Sequence, residues 1–346
     1  MAESVEVLIV GAGPIGLELA VSLQAMGVGY VQLEAGLIGQ TVLDYPPGTT
    51  FFSSPERIAI AGVPLMLADQ CKATREHYLT YLHAVVKQFG LRVRDGERVV
   101  SIAKRGDGRF AVASSQGAYD ARVVVLAIGD MHHPRELSVP GEGLPHVSHH
   151  LREPLRYFGR RVLIVGGKNS AVEAALRCQR AGARVTISYR GDAFDEGSIK
   201  YWLLPEIKAL IKHGQVGYHP RTVPTQIDAT AVTLASVDDP SQTHTAAADD
   251  VLLLTGYEQD KTLFESAGVE LEGGNLAPRH DPTTMMSNVE NLYLAGTAAA
   301  GTQHAFKLYI ENSHPHVTRI ITSITGSAPP DHLVNTAAKT YGLPES

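Results

Sequence analysis

The sequence predicts an α/β protein of two domains built on one plan, the second inserted into the first. Two observations carry this expectation. The strings LIVGAGPIG, from Leu8, and LIVGGKNSA, from Leu163, repeat a short apolar strand that closes on glycine. After each come a helix-like run, a further strand, alternating segments separated by turns, and a buried strand, VVVLAIG or DDVLLLTG. A third strand of the same apolar type, NLYLAG, has no domain of its own to complete, so it is expected to return to the first sheet.

In order, VEVLIV reads as the first strand, IGLELAVSLQAMG as a helix and GYVQLE as the second strand, a βαβ unit. LRVRDGERVV through to VVVLAIG reads as a β-meander with DG, GDG and QG turns, ending in a buried strand. MHHPRELSVPGEGLPH is rich in Pro, Gly and His and reads as a linker. RRVLIVGG, SAVEAALRCQRAG and ARVTISYR then repeat the βαβ pattern, and a second meander spans roughly residues 216–247. A long helix is expected from about Ala305 to Ile324, and a loosely packed tail from Gly326. The expected divisions are 1–131 and 255–346 for the first domain and 132–254 for the second.

Bulk properties narrow the class. A length of 346 residues exceeds one average core. Hydrophobic content of 44% with 19% charge is that of an ordinary globular protein. A net charge of −6 argues against nucleic acid or an anionic membrane as partner. The opening MAESVEVLIVGAG lacks a basic segment before its apolar run, which is too short for a membrane span. Cys71 and Cys178 stand far apart and exclude a disulfide framework. A cytoplasmic location is the expectation.

The two loops carry the chemistry. In Gly11-Ala12-Gly13-Pro14-Ile15-Gly16 the G-x-G-x-x-G spacing lies between a strand and a helix. Gly11 permits the turn, Gly13 lets backbone amides approach a pyrophosphate, and Gly16 packs helix on strand. The helix N-terminus adds partial positive charge for the anion. Glu34 ends the next strand, where a carboxylate binds ribose hydroxyls. The second loop, Gly166-Gly167-Lys168-Asn169-Ser170-Ala171, has Lys168 at the middle glycine, and Arg190 rather than an acid ends its following strand. A carboxylate repels a 2′-phosphate whereas an arginine fork binds it, so NADPH is preferred to NADH there. Two Rossmann-like domains with unlike ends suggest two dinucleotides: FAD in the first, NADPH at the second, with hydride passing between them.

With these residues in view, the chain resembles the thioredoxin reductase-like flavoproteins through VLAIGD, LTGY and NLYLAGTAAAGTQHAF. More closely it resembles the bacilliredoxin reductase (bacillithiol disulfide reductase) family through YPPGTTFFSSPERIAIAGVP, GGKNSAVEAAL, YRGDAFDEGSIKYWLLPEI and YIENSHPH. The resemblance runs from about Val5 to Ile324 and accounts for Lys168, which that family shares. It implies FAD, NADPH, a cytoplasmic homodimer or homotetramer, and reduction of a small thiol disulfide. It extends the FAD set to Gln40, Tyr45, Val99, Gly129, Gly296, Thr297, Gln303, His304 and Ala305, and the NADPH set to Tyr189, Lys200 and Gly256. Thr297 stands where thioredoxin reductases have a ribityl-binding aspartate.

Two departures bear on mechanism. Thioredoxin reductases carry a Cys-x-x-Cys that is missing here, and the bacilliredoxin reductases' flavin-proximal cysteine corresponds to Ile15. Isoleucine forms neither a mixed disulfide nor a thiolate adduct. Cys71, in DQCKATREHYLTYL, is expected to begin a helix, and Cys178 to lie within one, both as packing residues. His304 is the candidate proton donor beside the flavin. The histidines 132, 133, 146, 149 and 150 lack acidic or cysteine companions at ligand spacing, so no metal is expected. The acceptor is then a small disulfide or, in the alternative, a ferredoxin or quinone reached without a thiol, with Tyr341 a conceivable C-terminal aromatic at the flavin. LPHVSHH lacks the Phe-x-Gly-x-x-x-His pattern of flavin monooxygenases, and a non-catalytic NADPH or redox sensor is the remaining reading.

Overall fold

The computed structural model describes residues 2–305 and 307–337, and divides the chain into two compact units, Met1–His133 with Tyr257–Ser346 and Pro134–Gly256. The expected divisions lay two residues earlier at each crossing.

In the first unit, strand Glu3–Val10 is flanked in parallel by Tyr30–Leu33 and by Ala118–Leu126. Strand Leu292–Leu294 returns to pair in parallel with Ala118–Leu126, as its unpartnered apolar run implies. The last four residues of Glu3–Val10 and of Ala118–Leu126, VLIV and VVVL, are all apolar and buried, the pattern of parallel strands covered on both faces. Helices Pro14–Ala25, Arg75–Phe89 and Ile310–Thr325 pack on this sheet around one apolar core. Register sets the site: Val10 lies opposite Leu126, and Leu126 opposite Leu294, so three strands end together. The loops that follow them gather at one edge, where open α/β sheets bind ligands.

In the second unit, Arg161–Val165 pairs in parallel with Arg184–Tyr189 and with Asp250–Leu253. Successive residues of Arg161–Val165 point to opposite faces. Val162 and Ile164 enter the core beneath helices Asn169–Arg180 and Leu204–Lys212, while Leu163 and Val165 enter the core beneath the meander. Three layers result.

Several expected boundaries shift. Both meanders start later: Val93–Arg94 pairs in parallel with Tyr30–Leu33, and Gly217–Pro220 with Arg184–Tyr189, leaving Val99 and Thr222 to open the antiparallel parts. The expected linker is structured, since Leu137, Val139, Leu144 and Val147 pack on the second unit's meander core. The last helix begins at Ile310 rather than Ala305, because Tyr309 is extended and the preceding loop is held by Gln303. The tail is docked through residue 337: Leu333 is buried, and the Asn335 amide donates to the carbonyls of Glu56 and Ala59. Cys71 is exposed and precedes its helix, which starts at Arg75 behind a Thr74 cap, so Cys71 is not a packing residue. Tyr341 lies outside the described residues.

Candidate functional site

The first glycine loop is shaped by contacts that only glycine permits. Gly11 has φ +109°, and a Cβ there would lie 2.4 Å from the Ala127 carbonyl oxygen. A Cβ on Gly16 would lie 2.4 Å from the Gly11 oxygen, so helix and turn touch. Gly13 differs: its added Cβ would meet nothing within 4 Å, which leaves open space before the loop. Pro14 opens the helix, Gly13 offers no side-chain cap, and the first turn holds no acid. Its first amides are therefore available to an anion. These features fit a bound pyrophosphate.

Glu34 is buried against this loop, its Oε2 accepting from Ala12 N at 2.7 Å and its Oε1 from Gly36 N at 2.8 Å. A carboxylate has about four acceptor sites, so ribose hydroxyls can share it. Gln40 braces the same turn, accepting from Leu37 N and donating to Asp44. Val99 is buried at the start of its strand, two residues after Glu97, whose N–H donates to the Glu34 carbonyl at 2.8 Å.

The other two loops complete this edge. Gly129 and Gly296 are left-handed, at φ +79° and +69°. A Cβ on Gly129 would lie 3.8 Å from Thr297 Oγ1, and one on Gly296 would lie 3.4 Å from Ile15 Cβ. Ile15 is 6% exposed, so it is a packed residue between two loops. Gln303 donates to Asp130 Oδ2 at 2.9 Å and accepts from Lys307 N and Leu308 N. His304 and Ala305 are exposed on this loop.

Sequence reasoning missed Asp130 and Gln259. Asp130 is buried, and burial pushes its carboxyl above the usual range, against stabilisation by Gln303 and Thr297. Gln259 donates to the carbonyls of Gly129 and Ala298, each at 3.0 Å, while its own Oε1 is buried without a partner. Tyr45 lies close enough to Asp130 for that charge, added to burial, to hold its phenol neutral. The one available signal was Asp130 itself, a carboxylate just past the end of an apolar strand.

The second unit repeats the loop with differences. Gly166 has φ +143°, and a Cβ there would lie 2.5 Å from the Leu254 oxygen and 3.1 Å from Ala171. Lys168 precedes helix Asn169–Arg180, whose first turn has no acid and no side-chain cap. Lys168 and Ser170 are exposed at this end. A Cβ on Gly167 would lie 2.3 Å from the Tyr189 ring, so that ring rests on the loop. Arg190 is exposed and borders a concavity lined also by Tyr189, Val223, Thr225 and Ser236. Lys200 faces inward, ion-paired with Glu173 at 2.8 Å, and its N–H donates to Asn169 Oδ1. Gly256 is left-handed at φ +98°, with open space around it. These amides and cations fit a second pyrophosphate.

The five linker histidines do not converge. His132 accepts from Asp260 N, His146 bonds the Asp228 carbonyl, and His149 lies 3.5 Å from Glu142. No cluster among the described residues has a metal-holding geometry. No helix among them is long and apolar enough to cross a membrane.

The chain is 35% identical over 317 residues to bacilliredoxin reductase Bdr of Bacillus subtilis, covering 92% of this chain and 96% of that one. The solved bacillithiol disulfide reductase Bdr (YpdA) from Staphylococcus aureus superposes with a TM-score of 0.88 at 33% identity, covering 94% of this chain and 99% of that one. A ferredoxin–NADP reductase of Ignicoccus hospitalis is 29% identical over 302 residues, covering 84% and 89%. Residues 8–296 match the family model described as pyridine nucleotide-disulphide oxidoreductase. With a family model spanning residues 8–296 and a relative at 35% identity over nearly its whole length, this chain belongs to the pyridine nucleotide-disulphide oxidoreductase family.

Proposed function

We propose that this protein is an NADPH-dependent FAD oxidoreductase that delivers reducing equivalents from the flavin without a protein thiol. Ile15 carries the reading. A thiol relay in the first loop would need a cysteine there, and the loop holds a buried isoleucine packed against Gly296. Of the two cysteines, Cys71 is exposed on a loop and Cys178 is buried in the second unit, its thiol pushed up to about 12 by burial.

FAD would supply the hydride-accepting ring. The chain's residues do the rest. Gly11, Gly13 and Gly16, with the first amides of helix Pro14–Ala25, would hold its pyrophosphate, and Glu34 its ribose. In the second unit the amides before Asn169–Arg180 would hold the NADPH pyrophosphate, and Arg190 its 2′-phosphate. Two free cysteines suit a reducing compartment such as the cytoplasm.

The solved relatives named as bacillithiol disulfide reductases support a small disulfide as the acceptor. The buried Ile15 favours a second reading, direct transfer to a small redox protein or quinone. An anaerobic experiment separates them. The NADPH-reduced protein is mixed with oxidised bacillithiol, ferredoxin, benzoquinone or oxygen. Reoxidation by the disulfide, faster in Ile15→Cys, supports the first reading; reoxidation only by ferredoxin or quinone supports the second. Failure with every acceptor would leave a sensor and refute both.

A further inference from the structure

We infer that Asp130 is a functional residue of the first dinucleotide site: through Gln303 it anchors the backbone of Lys307 and Leu308, and it sets a buried negative charge at the sheet edge where the flavin would bind, which would lower the flavin's reduction potential. This rests on the reading of the first unit as the flavin site.

The placement is the first argument. Asp130 follows the strand Ala118–Leu126 at the edge where the Gly11 and Gly296 loops also begin. Its backbone neighbour Gly129 is fixed to the 296–298 turn, because Gln259 bridges the carbonyls of Gly129 and Ala298. Asp130 is 8% exposed, and its Oδ2 accepts from Gln303 Nε2 at 2.9 Å. Gln303 in turn donates to the Leu308 carbonyl and accepts from Lys307 N and Leu308 N. One side chain thus carries the anchor of the loop on which His304 sits.

The second argument is cost. A buried carboxylate without a counter-charge is expensive. Among the described residues, Asp130 has no ion-pair partner and relies on Gln303 and the Thr297 hydroxyl, both neutral. A neutral acceptor would anchor Gln303 as well, so tethering alone does not explain a carboxyl. Charge does. A negative group beside a ring that gains electrons makes reduction harder, and a proton taken up at Asp130 offsets that.

The surroundings leave this proton to Asp130. Tyr45 faces it and is held neutral by burial, and Tyr257 beyond it is likewise raised by burial and by Asp44. His132, two residues on, is lowered by burial and accepts from Asp260 N. From the loop, His304 and Lys307 are exposed.

The test compares flavin midpoint potential against pH in the holoprotein for wild type, Asp130→Asn and Asp130→Ala. Asp130→Asn keeps an acceptor for Gln303 and removes the charge. It should retain flavin, favour reduced flavin about tenfold at pH 7.5, roughly 30 mV for a two-electron couple, and lose a break in the wild-type pH profile. Asp130→Ala should in addition release flavin more readily. If Asp130→Asn fails to fold, Asp130→Ser keeps a hydroxyl for Gln303 and is read the same way. Flavin-loaded variants with wild-type potentials at every pH overturn this inference alone. A wild-type protein that takes up no FAD overturns it together with the reading of the first unit.

Discussion

Glu18 and His314 form a buried pair joining the helix of the first glycine loop to the last helix, and removing the carboxylate should weaken the whole first unit. The two residues are 2% and 3% exposed, with His314 Nδ1 2.7 Å from Glu18 Oε2 and Nε2 2.9 Å from the Arg57 carbonyl. A neutral imidazole has one N–H, whereas this ring meets an acceptor at each nitrogen, so it is held as the imidazolium. Burial opposes that charge, and the Glu18 carboxylate overrides it, holding His314 above the usual histidine value. Breaking a buried ion pair costs about 3–5 kcal/mol when a charge is stranded. In Glu18→Gln the ring can shed its proton, so the loss is nearer that of one charged hydrogen bond, roughly 1.5–3 kcal/mol. That is about 4–10 °C in Tm for a unit of this size.

The sign with pH follows from the raised value. Stability from His314 is fully present below its unfolded value, near 6.5, and is lost as pH rises through the higher folded value. Thermal unfolding of wild type and Glu18→Gln at pH 6 and pH 9 should show the larger gap at pH 6. The double replacement Glu18→Leu with His314→Leu should lie within about 1 kcal/mol of wild type. A gap that grows with pH, or no gap at pH 6, would refute the reasoning.

The remaining predictions concern the loops and thiols. Gly11→Ala forces a Cβ against the Ala127 oxygen at positive φ, a cost of roughly 2–5 kcal/mol, and should yield protein purified without flavin. Arg190→Ala removes one charged bond to a 2′-phosphate and should raise KM roughly ten- to a hundred-fold for NADPH while leaving NADH unchanged. A thiol reagent on the native protein should label exposed Cys71 and spare buried Cys178, with NADPH reduction of the flavin unaffected. Mass spectrometry of labelled peptides reads this directly.

Much of the frame was legible because it is local. Two apolar strands running into glycine turns specify two Rossmann-type units, and the unpartnered NLYLAG run specifies a return to the first sheet. Less visible was whatever depends on contacts far along the chain. The last helix starts at Ile310 because Gln303 captures the backbone of residues 307–308, which periodicity does not show. The resemblance puts Lys200 in the NADPH set, yet its side chain is paired with Glu173, 27 residues away. Asp130 acquires its significance only when Thr297 and Gln303 fold against it. Ile15 stood out in the sequence as an apolar residue in a phosphate loop, and its packing on Gly296 gives that oddity a structural place.

The central claim is flavin reduction by NADPH with no protein disulfide in the relay, and its most direct test is an anaerobic titration counting electrons. The account predicts that the bound flavin bleaches fully with a single equivalent of NADPH and that the count of free thiols, Cys71 and Cys178, is unchanged. An end point near two equivalents with new thiols appearing, or no bleaching with NADPH, would contradict it.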